Sequence, residues 1–535
     1  MNPAPEPIAD PAYRTLAGLI RRHAHARPHS PALRQGDECL SYAGLDALMD
    51  RIAGSLQRDG LRPGDAIAIC AHASPRYAAV FLGALRAGVV VAPLAPSVSR
   101  ASFASMLADA QARWLFLDAA ALDALGDAAD AARCISLDAV APGRAFEDWL
   151  VPAGTGPEPA EAAAEGAVDV AVELEPAHPF NIIYSSGTTG APKGIVQSHG
   201  MRWSHVMRGA AYGYAADVVT LLATPLYSNT TLVVFFPTLA FGGSVILMQK
   251  FDAAGYLALA VQHRVTHTML VPVQYQRIMA LASFDAHDLR SFRFKFCTSA
   301  PFAAPLKADV VARWPGGLIE FYGMTEGGGT CILEAHVQPD KLHTVGRPAP
   351  GHDIRLIDDA GCELPAGDAS AIGEVVGHSA GMMSGYHGQP GKTREAEWFD
   401  ASGKRFIRTG DVGRFDADGF LQLLDRKKDM VISGGFNIYP SDLEAVLREH
   451  PAVADVAVVG VPSTAWGETP IGFVVRSTDD ATSEDELMRW MSTRVGKTQR
   501  LARLQFIDEL PRSAIGKVLK RELRDRHIAS SAEPK

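Results

Sequence analysis

The sequence predicts an α/β fold, in which a large N-terminal domain of parallel-sheet α/β layers is joined by a hinge to a small C-terminal α+β domain. The chain has 535 residues, more than the roughly 100–200 that one domain takes, so we expect at least two packed units. Helical and strand patterns alternate along the first third, which is typical of parallel strands linked by helices. The last part of the chain instead has a helix–strand–strand pattern behind the charged segment 425–429.

Hydrophobic periodicity and turn residues locate the elements of the large domain. We expect helices and strands at these positions: helices at 42–59 and 76–87, and strands at 65–70, 89–93, 181–184, 218–223, 244–247 and 268–271. The segment 151–176 is rich in Ala, Glu, Gly and Pro and has no aromatic residue. Such a composition predicts a surface loop or a flexible connection.

In the small domain, Ser441 and Glu444 stand three residues apart, as in a capping box with Ser441 at the N-cap and Glu444 at N3. The helix that they open is expected to end before Pro451. Strands are expected to follow at 453–461 and 471–476.

Composition excludes several classes of protein. The chain is 47% hydrophobic and 21% charged with a net charge of −9, which excludes disordered and collagen-like chains and disfavours nucleic acid as a partner. No basic leader precedes an apolar stretch, and no apolar run approaches the roughly 20 residues of an integral membrane segment. The six cysteines form no CxxC pair, so we expect neither a zinc site nor disulfides. These features predict a cytoplasmic protein that is free of metal except for an ion carried by a substrate.

The strongest local signal is the segment 184–194, which packs three glycines, four hydroxyl side chains and a lysine into one loop after a strand. Glycines let backbone N–H groups approach anionic oxygens, hydroxyls donate further hydrogen bonds, and a lysine adds charge, so the loop predicts a phosphate cradle. The order GxxxxGK[ST] of a Walker A loop is absent. The alternative is a flexible surface loop. The predicted phosphate contacts are Ser185, Ser186, Gly187, Thr188, Thr189, Gly190 and Lys193.

This string resembles the signature loop of the adenylate-forming superfamily, which includes acyl-CoA synthetases, luciferases and the adenylation domains of peptide synthetases. Four more segments continue the resemblance in order: Tyr322-Gly323-Met324-Thr325-Glu326, Arg408-Thr409-Gly410-Asp411, Asp425-Arg426-Lys427-Lys428-Asp429 and Pro511-Arg512-Ser513-Ala514-Ile515-Gly516-Lys517. The match covers nearly the whole chain, and the chain is identified as a member of the acyl-CoA synthetase (AMP-dependent CoA ligase) family.

The resemblance implies a reaction in two half-steps. A carboxylate attacks the α-phosphorus of MgATP to give acyl-AMP and pyrophosphate, and the thiol of coenzyme A then takes the acyl group and releases AMP. The implied catalytic residues are Lys517, which bridges the carboxylate and the α-phosphate, Thr325 at the α-phosphate, and Glu326 at Mg²⁺. Further implied nucleotide contacts are Ser299, Ala300, Pro301, Tyr322, Gly323, Met324, Asp411 and Arg426.

The resemblance also implies a mobile small domain. Residues 1–424 are expected to bind AMP and the acyl substrate, 425–428 to form the hinge around Lys428, and 429–535 to carry the catalytic lysine. Ser433, Gly434 and Gly435 are expected to line the coenzyme A tunnel. Lys517 is a regulatory acetylation target in relatives, so a protein lysine acetyltransferase is an implied partner. A homodimer is left open.

Family position locates an acyl pocket at Trp203, Met207, Tyr227, Ser228, Asn229, Thr230, Phe235, Phe302, Gly327 and Gly328, with Gly329 beside them. Ser228 stands where many relatives have a histidine, which weakens the analogy to their substrates. No charged residue in these segments stands out as a partner for a second carboxylate. The pocket therefore favours a mostly apolar acid, aryl or short- to medium-chain, with the glycines after Glu326 opening space for it.

Two alternatives remain open from the residues. One is an adenylating enzyme with a different acceptor, either a carrier-protein thiol or a luciferase-like oxidation. The other is a catalytically silent acyl-adenylate binder, against which the presence of Lys517, Glu326 and Asp411 argues.

Overall fold

The computed structural model describes residues 12–125, 133–152, 172–185, 192–433, 436–477, 481–496, 499–513 and 516–532. The α-helices of this part of the chain are α1 Leu16–Ala26, α2 Tyr42–Arg58, α3 Pro75–Arg86, α4 Arg100–Ala110, α5 Leu122–Leu125, α6 Phe146–Trp149, α7 His199–Arg208, α8 Asn229–Ala240, α9 Ala253–Gln262, α10 Pro272–Met279, α11 Ala304–Arg313, α12 Pro390–Glu395, α13 Pro440–Arg448, α14 Glu484–Ser492 and α15 Lys520–Ala532.

The strands up to the middle of the chain are β1 Pro31–Gln35, β2 Glu38–Ser41, β3 Ala66–Cys70, β4 Val90–Pro93, β5 Leu115–Leu117, β6 Cys134–Ser136, β7 Arg144–Ala145, β8 Pro179–Ser185, β9 Lys193–Ser198, β10 Val219–Leu222, β11 Ser244–Leu247, β12 His267–Leu270 and β13 Phe294–Cys297. The later strands are β14 Gly317–Gly323, β15 Thr330–Glu334, β16 Arg347–Pro348, β17 Asp353–Ile357, β18 Gly373–His378, β19 Gly385–Tyr386, β20 Glu397–Phe399, β21 Arg405–Phe415, β22 Leu421–Arg426, β23 Val431–Ser433, β24 Phe436–Ile438, β25 Val453–Ser463, β26 Gly467–Arg476 and β27 Arg503–Phe506.

Two large sheets with parallel centres form the body of the molecule. One has nine strands in the order β16-β15-β14-β13-β12-β10-β11-β1-β2, and the other has eight in the order β19-β9-β8-β4-β3-β5-β6-β7. The strands from β14 to β1 in the first order pair in parallel, as do those from β8 to β7 in the second. Every residue of β3 is buried, as expected for a parallel strand covered on both faces.

Helix α2 shows how the sequence builds the core between these sheets. Leu45, Met49, Ile52 and Leu56 recur at helical spacing, and all four are fully buried, so one stripe of the helix faces inward. A Cβ atom at Gly83 of α3 would lie 2.7 Å from Ile52, so the absence of a side chain there allows α2 and α3 to pack closely.

Two smaller sheets complete the fold. Strands β17, β18, β21 and β20 form an antiparallel sheet, with β22 paired to β21. At the C-terminus the order is β24-β23-β26-β25, with β27 parallel to β26. The apolar face of α13 contributes Leu443 and Leu447 to the core of this last unit. The fold class predicted from the sequence is confirmed.

Most predicted elements are present with ends shifted by one or two residues, and the strand at 244–247 has the expected bounds. The predicted loop at 151–176 lies largely outside the described residues. The predicted capping box is wrong. Helix α13 begins at Pro440 with Tyr439 at the N-cap, and the backbone N–H of Ser441 donates to Asp425 Oδ2 at 2.9 Å. Glu444 accepts instead from the N–H of Val458 at 2.9 Å, so both residues are used in tertiary contacts.

Candidate active site

The predicted phosphate loop joins two paired strands. Strand β8 ends at Ser185 and β9 begins at Lys193, and these two residues are partners in the antiparallel register. Because β8 lies parallel to β4, the loop leaves at the carboxyl end of a parallel strand, the edge at which open α/β sheets bind ligands. The predicted contacts Ser186, Gly187, Thr188, Thr189 and Gly190 lie outside the described residues.

Beside this loop, one tyrosine links a lysine to a carboxylate. The Nζ atom of Lys193 is 4.9 Å from the ring centroid of Tyr386, and the Tyr386 hydroxyl donates to Glu326 Oε1 at 2.9 Å. Burial raises the pKa of Tyr386, and the charge of Glu326 raises it further. The tyrosine therefore stays a hydrogen-bond donor at neutral pH and fixes the orientation of Glu326.

The same carboxylate fits a magnesium ion that arrives with its substrate. Within the described ranges, no three His, Cys, Asp or Glu side chains converge as ligands for a metal. A Mg²⁺ that brings phosphate oxygens and water needs only one or two protein carboxylates. Glu326 fits that requirement.

A second carboxylate, Asp411, is held from two sides. It lies in β21 opposite Arg426 of β22, and Arg426 Nε is 2.6 Å from Asp411 Oδ1. The Tyr322 hydroxyl donates to Asp411 Oδ2 at 2.8 Å. Burial and the neighbouring Asp411 raise the pKa of Tyr322, which keeps its proton. An ionised carboxylate has about four acceptor positions, so Asp411 retains capacity for two ligand hydroxyls.

Residues 323–325 connect Tyr322, which binds Asp411, to Glu326. Gly323 ends β14 and pairs with Thr330, and Met324 packs in an apolar cluster with Ile407. The backbone oxygen of Thr325 accepts from Gln197 Nε2 at 2.7 Å. This bond ties the segment to the strand that begins at Lys193.

The loop with Lys517 reaches the large domain. Gly516 has φ +76°, and a Cβ there would lie 2.8 Å from Val273 at the start of α10. Lys517 keeps contact with solvent, but desolvation by the surrounding protein lowers its pKa. Arg426 lowers the pKa further, whereas Asp411 and Glu326 oppose this change. Lys517 therefore lies within electrostatic range of Arg426, Asp411 and Glu326.

The predicted hinge residue Lys428 lies between β22 and β23, the first strand of the C-terminal sheet. Arg426 is the last residue of β22, and a turn over 427–429 contains Lys428, which is exposed. The N–H of Asp429 donates to the oxygen of Arg426 at 2.9 Å. Ser433 ends β23 and pairs with Gly467, while Gly434 and Gly435 lie outside the described residues.

The predicted acyl-pocket residues separate into two groups. Ser299 has φ +83°, and its hydroxyl bonds to that of Thr230 at 2.5 Å. The remaining positions around these two are Tyr227, Ser228 and Asn229 before and at the start of α8, with Ala300, Pro301 and Phe302 after Ser299. Phe302 stacks on Tyr275 with the ring centroids 5.2 Å apart.

Other predicted pocket residues lie elsewhere. Phe235 is 1% exposed and packs against Phe236 in the main core. The half-buried Met207 packs against the same core. Trp203 lies on the face of α7 that turns to Tyr13, with ring centroids 6.2 Å apart.

The expectation that the glycines after Glu326 open space is wrong. Cβ atoms at Gly327 and Gly328 would lie 1.9 Å from the oxygen of Gly381 and 2.6 Å from Ile407. These glycines allow close approach of protein to protein.

Sequence reasoning missed a buried polar network behind the site. Arg202, 1% exposed, donates to Asn181 Oδ1 at 2.9 Å and to Asn229 Oδ1 at 2.8 Å, and also to Gln197. Burial lowers its pKa to about 9. The His and Arg residues at helical spacing in α7 were the signal in the sequence for this network, whereas no sequence pattern indicated the role of Tyr386.

Comparisons with known proteins show which family the chain belongs to. The model of the family described as AMP-binding enzyme matches residues 20–387, and that of the AMP-binding enzyme C-terminal domain matches residues 442–517. Feruloyl-CoA synthase of Amycolatopsis sp is 35% identical over 94% of this chain and 97% of that protein. Indoleacetate–CoA ligase of Aromatoleum aromaticum is 31% identical over 95% and 97%. The amide bond synthetase McbA of Marinactinospora thermotolerans has a TM-score of 0.81 with 26% identity, over 96% of this chain and 99% of that one.

Fold and site together define an adenylate-forming enzyme of the acid–thiol ligase class. The chain belongs to the AMP-binding enzyme family, in its acyl-CoA synthetase branch, as the five ordered motifs predicted. In the described part of the chain, no helix has the length and apolarity to cross a membrane.

Proposed function

We propose that this chain is an ATP-dependent carboxylate–CoA ligase whose substrate is a mostly apolar acid, aryl or short- to medium-chain. The observation that carries the proposal is that the loop with Lys517 packs against Val273 of the large domain, within electrostatic range of Asp411, Arg426 and Glu326. A lysine near Asp411, the proposed ribose ligand, and Glu326, the proposed magnesium ligand, could bring the substrate carboxylate and the α-phosphate together. The names of the two CoA-forming relatives, which act on feruloyl and indoleacetate groups, support an aryl acid and coenzyme A.

In the first half-step, a carboxylate oxygen of the acid attacks the α-phosphorus of ATP. The bond from this phosphorus to the bridging oxygen breaks, and pyrophosphate leaves with the electron pair. Lys517 stabilises the charge that develops on the α-phosphate, and Thr325 donates its hydroxyl to the same group. Mg²⁺ held by Glu326 would neutralise phosphate charge. Asp411 accepts from the ribose hydroxyls, and Tyr322 offers its ring to adenine.

In the second half-step, the sulfur of coenzyme A attacks the acyl carbon as it loses its proton, and AMP leaves. In our proposal the C-terminal unit, 429–535, turns about Lys428 to admit the thiol beside Ser433, Gly434 and Gly435. The small residues leave room for the pantetheine arm. The division at 424/425, a cytoplasmic location, acetylation of Lys517 and a homodimer remain predictions.

The test supplies MgATP, coenzyme A and a panel of carboxylic acids, and measures AMP and acyl-CoA by mass spectrometry. Lys517→Ala is expected to lower AMP formation at least about 100-fold, because one preorganised donor to the transition state is lost. Lys250→Ala, at an exposed position after β11, serves as the matched control and should keep full activity.

Three outcomes contradict the proposal or limit it. Full activity of Lys517→Ala removes the proposed role of this lysine. Pyrophosphate release without thioester moves the acceptor away from coenzyme A, and an added amine or carrier-protein thiol then identifies it. No AMP from any acid supports the silent binder.

A further inference from the structure

One face of α7 covers the segment that follows Glu326. A Cβ at Gly327 would lie 2.7 Å from Cε of Met201, and the guanidinium carbon of Arg208 is 5.9 Å from the Phe321 ring centroid. His205 stands between Met201 and Arg208 at helical spacing, so all three share this face.

A second histidine approaches from the other side of the same segment. The N–H of Thr330 donates to Nδ1 of His352 at 2.9 Å, so neutral His352 has its proton on Nε2. The Nδ1 atom of His205 is 3.5 Å from Nη1 of Arg202. A guanidinium only donates, so His205 also has its proton on Nε2. The groups that His205, His352 and Arg208 can offer to a ligand are therefore N–H donors and not acceptors.

Burial and neighbouring arginines keep the two histidines of this cluster neutral. Burial lowers the pKa of His205 well below its usual value, and Arg202, Arg208 and His352 lower it further. The pKa of His352 is lowered to about 4 by burial, with Arg208 and His378 adding to the effect. Both histidines are therefore neutral at pH 7. Burial also lowers the pKa of Arg208, which Tyr212 opposes.

Other buried cations have hydrogen-bond acceptors, which are carboxylates for Arg86 and Lys307 and backbone oxygens for Lys295. Arg86 contacts Asp46 and Asp50, and Lys307 contacts Glu320. Within the described ranges, neither Arg202 nor Arg208 has an ion pair with a carboxylate. Arg202 is compensated by amide oxygens. Arg208 contacts the ring of Phe321 and has no hydrogen-bond acceptor within the described ranges, and a half-buried guanidinium without an acceptor is costly unless a ligand supplies one.

We propose that Arg208, with His205 and His352, binds a second carboxylate at the far end of the acyl substrate. The planar fork of a guanidinium matches a carboxylate, and a carboxylate accepts from all three donors. A phenol accepts fewer of these bonds and must also place its own proton. The inference rests on the proposed function and deepens it: the acid has an apolar body and an anionic end. The sequence alone did not indicate this, because Arg208 meets His352 only in the fold.

The experiment compares acids that differ only at the far end: cinnamate, 4-hydroxycinnamate and 4-carboxycinnamate, and octanoate against octanedioate. Acyl-CoA formation gives kcat and KM for wild type, Arg208→Gln and the control Arg290→Gln, an exposed arginine paired with Asp288. We expect wild type to prefer the diacid in at least one series. Arg208→Gln should raise KM for that diacid about 10- to 100-fold, the usual effect of losing a hydrogen bond to a charged group, and Arg290→Gln should not.

Arg208→Lys keeps the charge and should retain part of the preference, which separates recognition from misfolding. Equal KM values for both members of each pair in wild type overturn the inference, as does an equal rise in KM for both members in Arg208→Gln. A preference for 4-hydroxycinnamate that Arg208→Gln abolishes assigns the cluster to a phenol and also overturns it.

Failure of the proposed function gives a different result. If no acid yields AMP, calorimetric titration of the same proteins with octanedioate and octanoate still tests the inference. Tighter binding of the diacid by wild type but not by Arg208→Gln supports it, and equal affinities overturn it.

Discussion

The ammonium group of Lys517 lies among two carboxylates, Asp411 and Glu326, and two cations, Arg426 and Lys428. Desolvation is the largest influence and lowers the pKa of Lys517 from the usual 10.5. A lysine is useful at the α-phosphate only when charged, so its lowered pKa limits the pH range over which it acts.

At the residue scale we predict how the rate of adenylation falls at alkaline pH. In wild type, kcat/KM for ATP–pyrophosphate exchange should fall on the alkaline side at a pH below 10.5, because Lys517 loses its proton there. Lys517→Arg keeps its charge over this range, so its profile should lack that limb even if its maximum is lower. Lys250→Arg should retain the limb. An unchanged limb in Lys517→Arg would assign it to another group.

At the scale of elements, the segment between β14 and β15 carries Thr325 and Glu326 and is held by close backbone approach. Gly327 has φ +73°, and its Cα faces the oxygen of Gly381 so closely that no side chain fits. The hydroxyl of Ser379 donates to the oxygen of Gly327 at 2.8 Å. The position of Glu326 is thus set by packing against a distant part of the chain.

Gly327→Ala should therefore destabilise the protein and disturb Glu326. Backbone strain costs about 1–3 kcal/mol, and the overlap with Gly381 adds to it. Gly351→Ala is the matched control, because Gly351 has φ +78° but no atom within 4 Å of a Cβ. Denaturant unfolding should show a clearly larger loss for Gly327→Ala. Equal losses in the free energy of unfolding would mean that the segment accommodates a side chain at residue 327 without additional cost.

At the scale of the whole molecule, the proposed chemistry depends on how the C-terminal unit meets the large domain. Gly516 has a positive φ and lies so close to Val273 that a Cβ atom would be 2.8 Å from it. Within its own unit, the loop is closed by the N–H of Ser513, which donates to the oxygen of Lys517 at 2.8 Å. In our proposal, the first half-step needs this contact and the second needs the C-terminal unit turned away.

We predict that Gly516→Ala slows acyl-AMP formation more than transfer from synthetic acyl-AMP to coenzyme A, because a Cβ would push the loop from Val273. Gly467→Ala has the same kind of backbone, φ +79°, with only the oxygen of Ile432 near its Cβ, at 3.8 Å. It should impair neither half-step selectively. Separate assays of the two half-steps give the ratio. Equal slowing of both by Gly516→Ala would contradict a contact specific to adenylation.

Local chemistry made much of the fold predictable. Apolar runs such as β3 and the helical stripe of α2 specify their elements because burial of periodic apolar side chains dominates their energetics. The five motifs, in order, specified the family and nominated Lys517, Asp411 and Glu326. The predicted capping box is wrong because Pro440 begins α13 earlier, and because the Ser441 hydroxyl donates to the backbone oxygen of Leu424 while Glu444 accepts from the N–H of Val458.

Residue types at short spacing were enough to predict the fold class, the enzyme family and the main chemical groups. Which groups meet depends on the tertiary structure. In the fold, Phe235 lies in the core, protein atoms fill the space beside Gly327, and His352 contacts Thr330. Contacts between residues far apart in the chain arise from packing of whole sheets and helices, and no local pattern encodes them.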